Sequence, residues 1–357
     1  MKYVFWGLLA VVGISAAVAG CGANASETFF PADNPNIQYM GRFDLSDPKM
    51  PRGWAAGVVF RIRFRGDRCS VVLRDQAANQ RTHNYVGIAI DGQPAYRVKL
   101  SGHAETLTIS GTGKPDHIVS ICKDTEAGNG WLALGGVFAA ALLPPSALPV
   151  RKIEFIGNSI TTGTGMDLSG IPCDKGEWYD QHNAWMSYGA RTARALNAQW
   201  HLTAVAGIGL IHSCCNLTIT MPEVFDKMDL RDNTGAWDFS RYRPDVVTIT
   251  LGQNDGVQDS TVFCGAYLRF IGQVRRQYPT AQIVCLTSPM GNATLTSALK
   301  RYLGGIVGAA GRSGDSRVHS YFYSRQYSHG CGGHPDLAEH EQIAGELTAY
   351  LKKLMGW

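Results

Sequence analysis

From about residue 37 to residue 140 the hydrophobic and polar positions read as short strands separated by turns, and no helical period survives over that stretch. The runs 55–64, 69–73, 84–90, 95–100, 105–110 and 117–122 each have the length of a β-strand, and Asp91-Gly92 and Ser110-Gly111 supply turn chemistry between them. Arg61, Arg63 and Arg65 alternate with Phe60, Ile62 and Phe64, as on a strand with one wet face. The pattern predicts an all-β jelly-roll sandwich over residues 27–147. A proline-containing stretch with few charges, 142–150, reads as the connector.

Beyond residue 150 the period changes. Runs at 152–156, 201–206, 246–251, 282–287 and 317–322 are apolar on both faces. Helical stretches fall between them: 183–196, with Met186, Ala190, Ala193 and Leu196 on one face, and 267–278, which stops at Pro279. Strands of that kind, separated by helices, predict a parallel sheet covered on both sides over 150–357. In such open sheets ligands gather at the carboxyl ends of the strands.

Three of those ends carry candidate chemistry. The run at 153–156 leads into Gly157-Asn158-Ser159, where Gly157 is expected to let the backbone bend around Ser159. The run at 246–251 delivers Gly252-Gln253-Asn254-Asp255. The run at 201–206 delivers Gly207, with Gly209 as an alternative. Near the end of the chain, Cys331-Gly332-Gly333-His334-Pro335 places a histidine just before a helix over 337–354. Ester cleavage needs a nucleophile, a base and donors for the charge that develops on oxygen. Ser159 and His334 supply the first two; the N–H groups of Ser159 and Gly207 and the Asn254 amide would form the oxyanion hole. Each has a plainer reading. A serine after a strand is often a helix N-cap, Asn-Asp is common in turns, and His334 is one of 10 histidines. His329 and His340 compete for the histidine role. Asp336-Leu337-Ala338-Glu339 has the form of a capping box, so Asp336 is expected to cap the last helix.

The ordered Ser159, Gly207, Asn254 and His334 resemble the four blocks of the SGNH (GDSL-like) hydrolases, which implies a flavodoxin-like three-layer catalytic domain. The chain is also similar to carbohydrate esterase family 2, acetyl esterases of plant polysaccharides that join a small β-sandwich to an SGNH domain. The segments that carry this likeness are Gly41-Arg42-Phe43-Asp44, Ile90-Asp91-Gly92, Lys123-Asp124-Thr125-Glu126, 154–161 and Thr220-Met221-Pro222. Many SGNH enzymes place an aspartate three residues before the histidine, but Cys331 stands there. The resemblance permits a Ser–His dyad instead, with a backbone carbonyl accepting the proton of the second imidazole nitrogen.

Composition narrows the alternatives. The chain has 357 residues, a net charge of +4, 45% hydrophobic and 17% charged residues, and no basic stripe of the kind nucleic acid requires. Gly-x-Ser-x-Gly, zinc-protease, dinucleotide and phosphate-loop motifs are missing from the sequence, so neither metal nor cofactor is expected. Residues 1–25 read as an export signal in two ways. Val18-Ala19-Gly20-Cys21 has the form of a lipobox that would lipidate Cys21, the preferred reading because it accounts for the cysteine. Ala23-Asn24-Ala25 would instead release a soluble protein. Among the remaining cysteines, Cys69 could pair with Cys122, and Cys331 with Cys264 to steady the histidine loop; Cys285 reads as a core residue. Trp178, Trp185 and Trp237 are candidate sugar-stacking residues, with Trp237 foremost; its plainer reading is a core aromatic.

The expectation is therefore an exported or envelope-attached carbohydrate O-acetyl esterase acting on acetylated polysaccharide or oligosaccharide. Membrane contact is expected only through a lipid at Cys21. Deacetylation of envelope glycans and a carbohydrate-binding lipoprotein with a vestigial site are the competing readings.

Overall fold

Two sheets, built from the two periodicities, organise the computed structural model, which describes residues 1, 27–76 and 82–357. The expected export signal, with Cys21, lies outside the described residues. The first sheet is antiparallel and contains β1 (Thr28–Pro31), β2 (Ile37–Met40), β3 (Arg52–Gly53), β4 (Val59–Asp75), β5 (Tyr85–Ile90), β6 (Tyr96–Lys99), β7 (Ala104–Ser110), β8 (Asp116–Lys123) and β9 (Leu132–Leu142). The expected strands 55–64 and 69–73 are one element, β4. Its first half pairs with β2 and β8 and its second half with β7 and β9. The ladder to β9 shifts register between Arg65 and Cys69, where Gly66 takes a φ of +111°. A bulge with a left-handed glycine lets one strand turn between two sets of partners. Phe60, Ile62, Val71, Leu73, Val119 and Val137 pack into a single core beneath both halves.

The second sheet is parallel: β10 (Arg151–Gly157), β11 (Ala198–Ala204), β14 (Val246–Ile249), β15 (Gln282–Leu286) and β16 (Val318–Tyr321), with a hairpin of β12 (Lys227–Asp229) and β13 (Thr234–Ala236) outside it. Numbered by their own order, its five strands lie 2-1-3-4-5, the flavodoxin-like arrangement. Helices α1 (Ser159–Thr162), α2 (Tyr188–Ala195), α3 (Met221–Val224), α4 (Ser260–Gln277), α5 (Ala293–Arg312) and α6 (Leu337–Met355) connect and cover it. One apolar cluster joins α4 and α5 to the sheet, and another joins α2 and α6 to it. These are the two covered faces that strands apolar on both sides require.

The sheets meet through buried polar contacts. Arg42 is 2% exposed. Its guanidinium binds Glu154 of β10 at 2.8 Å and donates to the carbonyls of Phe225 and Lys227 at 2.7 and 2.8 Å. Glu154 also accepts from Thr203 at 2.6 Å and from the Tyr278 hydroxyl. Each charge therefore has the several partners that a buried ion needs. Trp200 of β11 donates to the Gly57 carbonyl at 3.0 Å, and the Asp124 carboxylate accepts from the Trp185 backbone at 2.9 Å. Burial pushes the Asp124 carboxyl up to about 7, against the pull of Arg97.

Neither expected disulfide forms. Cys69 sits in the core of the first sheet and Cys122 in the cluster between the sheets, so one strand residue faces each side of the layer. Cys264 lies on α4 against Tyr302 of α5. The bridges are Cys173–Cys331 and the adjacent pair Cys214–Cys215. Cys285 is buried in β15, as expected.

Candidate active site

Ser159 follows the C-terminal end of β10 and opens the single turn α1. The cap of that turn is its neighbour: the Asn158 side chain accepts from the Ile160 N–H at 3.2 Å. The N-cap role that competed for Ser159 is thus filled, and its hydroxyl is free for another partner. Gly157 serves close approach rather than a bend. It has no positive φ, and a Cβ there would lie 2.1 Å from the Thr161 hydroxyl.

That other partner is His334. Its Nε2 lies 2.8 Å from Ser159 Oγ, and its Nδ1 lies 3.0 Å from the carbonyl oxygen of Cys331. A carbonyl only accepts, so Nδ1 carries the proton and Nε2 presents its lone pair to the serine hydroxyl. Among the described residues no carboxylate hydrogen-bonds His334, and Asp336 instead caps α6 in a full capping box with Glu339. Cys331 is held from both sides. Its N–H donates to Gly165 O at 2.8 Å, and its sulfur is bridged to Cys173, 158 residues earlier. A bridge steadying the histidine loop was expected; only its partner differs. Burial lowers the His334 pKa below that of a free imidazole, and the Cys331 carbonyl works the other way.

The competing histidines are accounted for. His340 is wholly buried on α6, accepts from the Tyr188 N–H at 3.0 Å, and burial drives its pKa down to about 3. His329 is exposed and pairs with Glu339 at 2.7 Å. With Asp336 these two form the only cluster of three potential metal ligands among the described residues. The pairing and the helix cap already explain it.

Gly207, after β11, adopts a φ of +84°, and its carbonyl accepts from Cys214 N at 2.8 Å. It lines a cavity of about 410 Å³ together with Ser159, Asn254 and His334. The alternative, Gly209, has its N–H engaged by Ser213 Oγ at 3.0 Å. Asn254 donates one amide hydrogen to Ile208 O at 2.7 Å, which leaves its second donor for the cavity. The neighbouring Asp255 ties the same loop down, accepting from the N–H groups of Leu210 (3.0 Å), Ile211 (2.7 Å) and His212 (3.0 Å). All four sequence-predicted chemical residues therefore meet in one cavity.

Trp237 does not join them. It is 5% exposed and packs between His201 and the guanidinium of Arg42, 5.3 Å from its ring. The core-aromatic reading is the one the structure supports. The cavity's aromatic is Trp178, 51% exposed and edge-on to the buried His182. The sequence reading assigns no site role to the Cys214–Cys215 pair or to Glu126, which also line the wall; Glu126 arrives from the first sheet. The sequence signal for Glu126 is its place in the Lys123-Asp124-Thr125-Glu126 segment that carries the family likeness.

Both parts of the chain match known families. Residues 39–146 match the carbohydrate esterase 2 N-terminal family, and residues 155–321 match the GDSL-like lipase/acylhydrolase family. The chain is 35% identical over 336 residues to the cellulase/esterase CelE of Acetivibrio thermocellus. It aligns over 91% of its own length and spans only 40% of that relative. It is 29% identical over 341 residues to an acetylxylan esterase/glucomannan deacetylase of Cellvibrio japonicus, covering 91% of both chains. Its fold superposes with a TM-score of 0.82 on a family two carbohydrate esterase from Clostridium thermocellum solved in complex with cellohexaose. That alignment has 34% identity and covers 90% of this chain and 99% of the other.

Proposed function

We propose, from the premise that this chain belongs to carbohydrate esterase family 2, that it removes O-acetyl groups from plant-type polysaccharides or their oligosaccharides. The observation that carries this reading is the 2.8 Å contact between Ser159 Oγ and His334 Nε2, in a cavity that also presents Gly207 and Asn254. Ser159 Oγ attacks the acetyl carbonyl carbon as its proton passes to His334 Nε2. The carbonyl oxygen becomes an oxyanion facing the N–H groups of Ser159 and Gly207 and the free Asn254 donor. The imidazolium returns the proton to the departing sugar oxygen, and an acetyl-serine remains. Water, deprotonated by the same nitrogen, then releases acetate and restores the hydroxyl.

Trp178 is the stacking surface this reading assigns to the sugar, because its ring stands in the cavity wall and half exposed. The same reading includes a jelly-roll arrangement of the first sheet, domains at 27–147 and 150–357, and an exported protein lipidated at Cys21. Acetate release from acetylated xylan and acetylated glucomannan tests the substrate class. Turnover of 4-nitrophenyl acetate with release from neither polymer, but from acetylated peptidoglycan, would move the assignment to envelope glycans.

The histidine also sets a pH dependence. His334 acts as a base only when neutral, and burial disfavours its charged form, so its folded pKa lies below 6.5. Activity is present above that pKa and lost as pH falls through it. The acid limb of kcat/KM for 4-nitrophenyl acetate is expected below pH 6.5, with a plateau through pH 7. A limb centred above 6.5 would contradict the desolvated dyad.

A further inference from the structure

The first sheet sends one side chain into the cavity. From Lys123, the last residue of β8, Asp124-Thr125-Glu126 crosses to the second sheet and enters a short turn at Ala127–Asn129. Glu126 is 3% exposed, and its Oε2 accepts from the N–H of Ala206 at 2.8 Å. Ala206 immediately precedes Gly207, which adopts a φ of +84°; a glycine takes positive and negative φ with equal ease, so the hydrogen bonds on either side decide which one it keeps. On the other side of Gly207, the carbonyl is held by Cys214 N at 2.8 Å. The peptide whose N–H the proposed mechanism assigns to the reacting oxygen is thus clamped before and behind. Only the clamp in front comes from the other sheet.

Glu126 is itself immobilised. The fully buried Lys123 ammonium donates to the carbonyls of Thr125 and Glu126 at 2.8 and 2.7 Å, which fixes the backbone that carries the carboxylate. A Cβ on Gly128 would come within 2.9 Å of Glu126 Oε1, so the following turn closes over the side chain. Burial raises the carboxyl pKa, while the Ala206 N–H, Arg231 and Lys123 favour its charged form.

We infer that Glu126 is a positioning residue for the reaction, holding the Gly207 N–H in register with the developing oxyanion across the boundary between the two sheets. The inference rests on the esterase reading above. It gives the first sheet a part in the chemical step, separate from any part in sugar binding. The geometry requires an acceptor at the end of the side chain, and its negative charge is secondary.

Glu126→Met and Glu126→Gln separate these features, since both keep the length of the side chain and only glutamine keeps the acceptor. 4-Nitrophenyl acetate is the substrate because it has no sugar to lose contact with. Glu126→Met is expected to lower kcat roughly tenfold with KM within about twofold, as misplacement of one oxyanion donor should. Glu126→Gln is expected to recover most of that loss, with both variants folded by circular dichroism. Wild-type kcat in Glu126→Met, or equal losses in the two variants, would overturn the inference. If Glu126→Met does not fold, Glu126→Gln alone decides: a kcat more than threefold below wild type rejects an acceptor role. Ser159→Ala run alongside keeps the two readings apart. A wild type no faster than Ser159→Ala refutes the esterase assignment itself.

Discussion

Ser159→Ala and His334→Ala are each expected to lower kcat by roughly 10⁵-fold or more, and the double variant by no more than either alone. The hydroxyl is a poor nucleophile without a base, and the base has nothing to activate without the hydroxyl. Their 2.8 Å contact makes them one device. The residual rate in all three variants should be similar, carried by the oxyanion donors and by binding. Steady-state kcat for 4-nitrophenyl acetate across the four proteins measures this directly. Losses that multiply would mean that the two groups act independently, and the dyad would be wrong. The arrangement behind His334 sharpens the expectation. The Cys331 carbonyl orients the imidazole but carries no full charge, so it stabilises the imidazolium less than a carboxylate would. What it offers is position. Cys331 is fixed by its N–H to Gly165 and by the bridge to Cys173, so the acceptor cannot drift.

How much of this could be read from the chain depends on whether the signal is local. Each of the five strands of the parallel sheet lies within a few residues of its expected place, although β11 and β16 include polar residues. Ser159, Gly207 and Asn254 were readable because each follows such a strand, and strand ends converge by topology alone. His334 was readable from the capping box beside it. Helix 183–196 was only half right. A turn at Ala184–Met186 is separated from α2 by Ser187, whose extended ψ breaks the helix without disturbing the apolar period. β9 went unseen because Gly135-Gly136 and a run of alanines dilute its pattern, although Gly136 is required where Phe29 and Phe30 pack against it.

Non-local facts left no such trace. Which cysteine meets Cys331 depends on where the loop before α2 folds back, and nothing in the spacing encodes that. Trp237 follows β13 and Trp178 opens a single 3₁₀ turn, and neither position tells the two apart; one is buried by Arg42 and His201 and the other faces the cavity. Glu126 belonged to a recognisable segment, yet its contact with Ala206 exists only once both sheets are assembled.

Asn254→Ala is expected to lower kcat by 10²- to 10³-fold, the usual cost of one oxyanion donor. The side chain has two amide hydrogens and two duties. One hydrogen holds the Ile208 carbonyl at 2.7 Å, and on the proposed mechanism the other meets the charge that appears only as the tetrahedral intermediate forms. Removing a contact made only in the transition state changes kcat and leaves KM nearly alone. Loss of the Ile208 tether adds little displacement, because Asp255 independently holds Leu210, Ile211 and His212. Asn254→Asp removes both amide hydrogens while keeping the size of the side chain. It preserves shape but replaces the donor with an acceptor, and its charge would repel the oxyanion, so its kcat should fall at least as far as that of Asn254→Ala. If Asn254→Asp retains wild-type kcat, or if Asn254→Ala raises KM while sparing kcat, the residue acts on the ground state and has no place in the oxyanion hole.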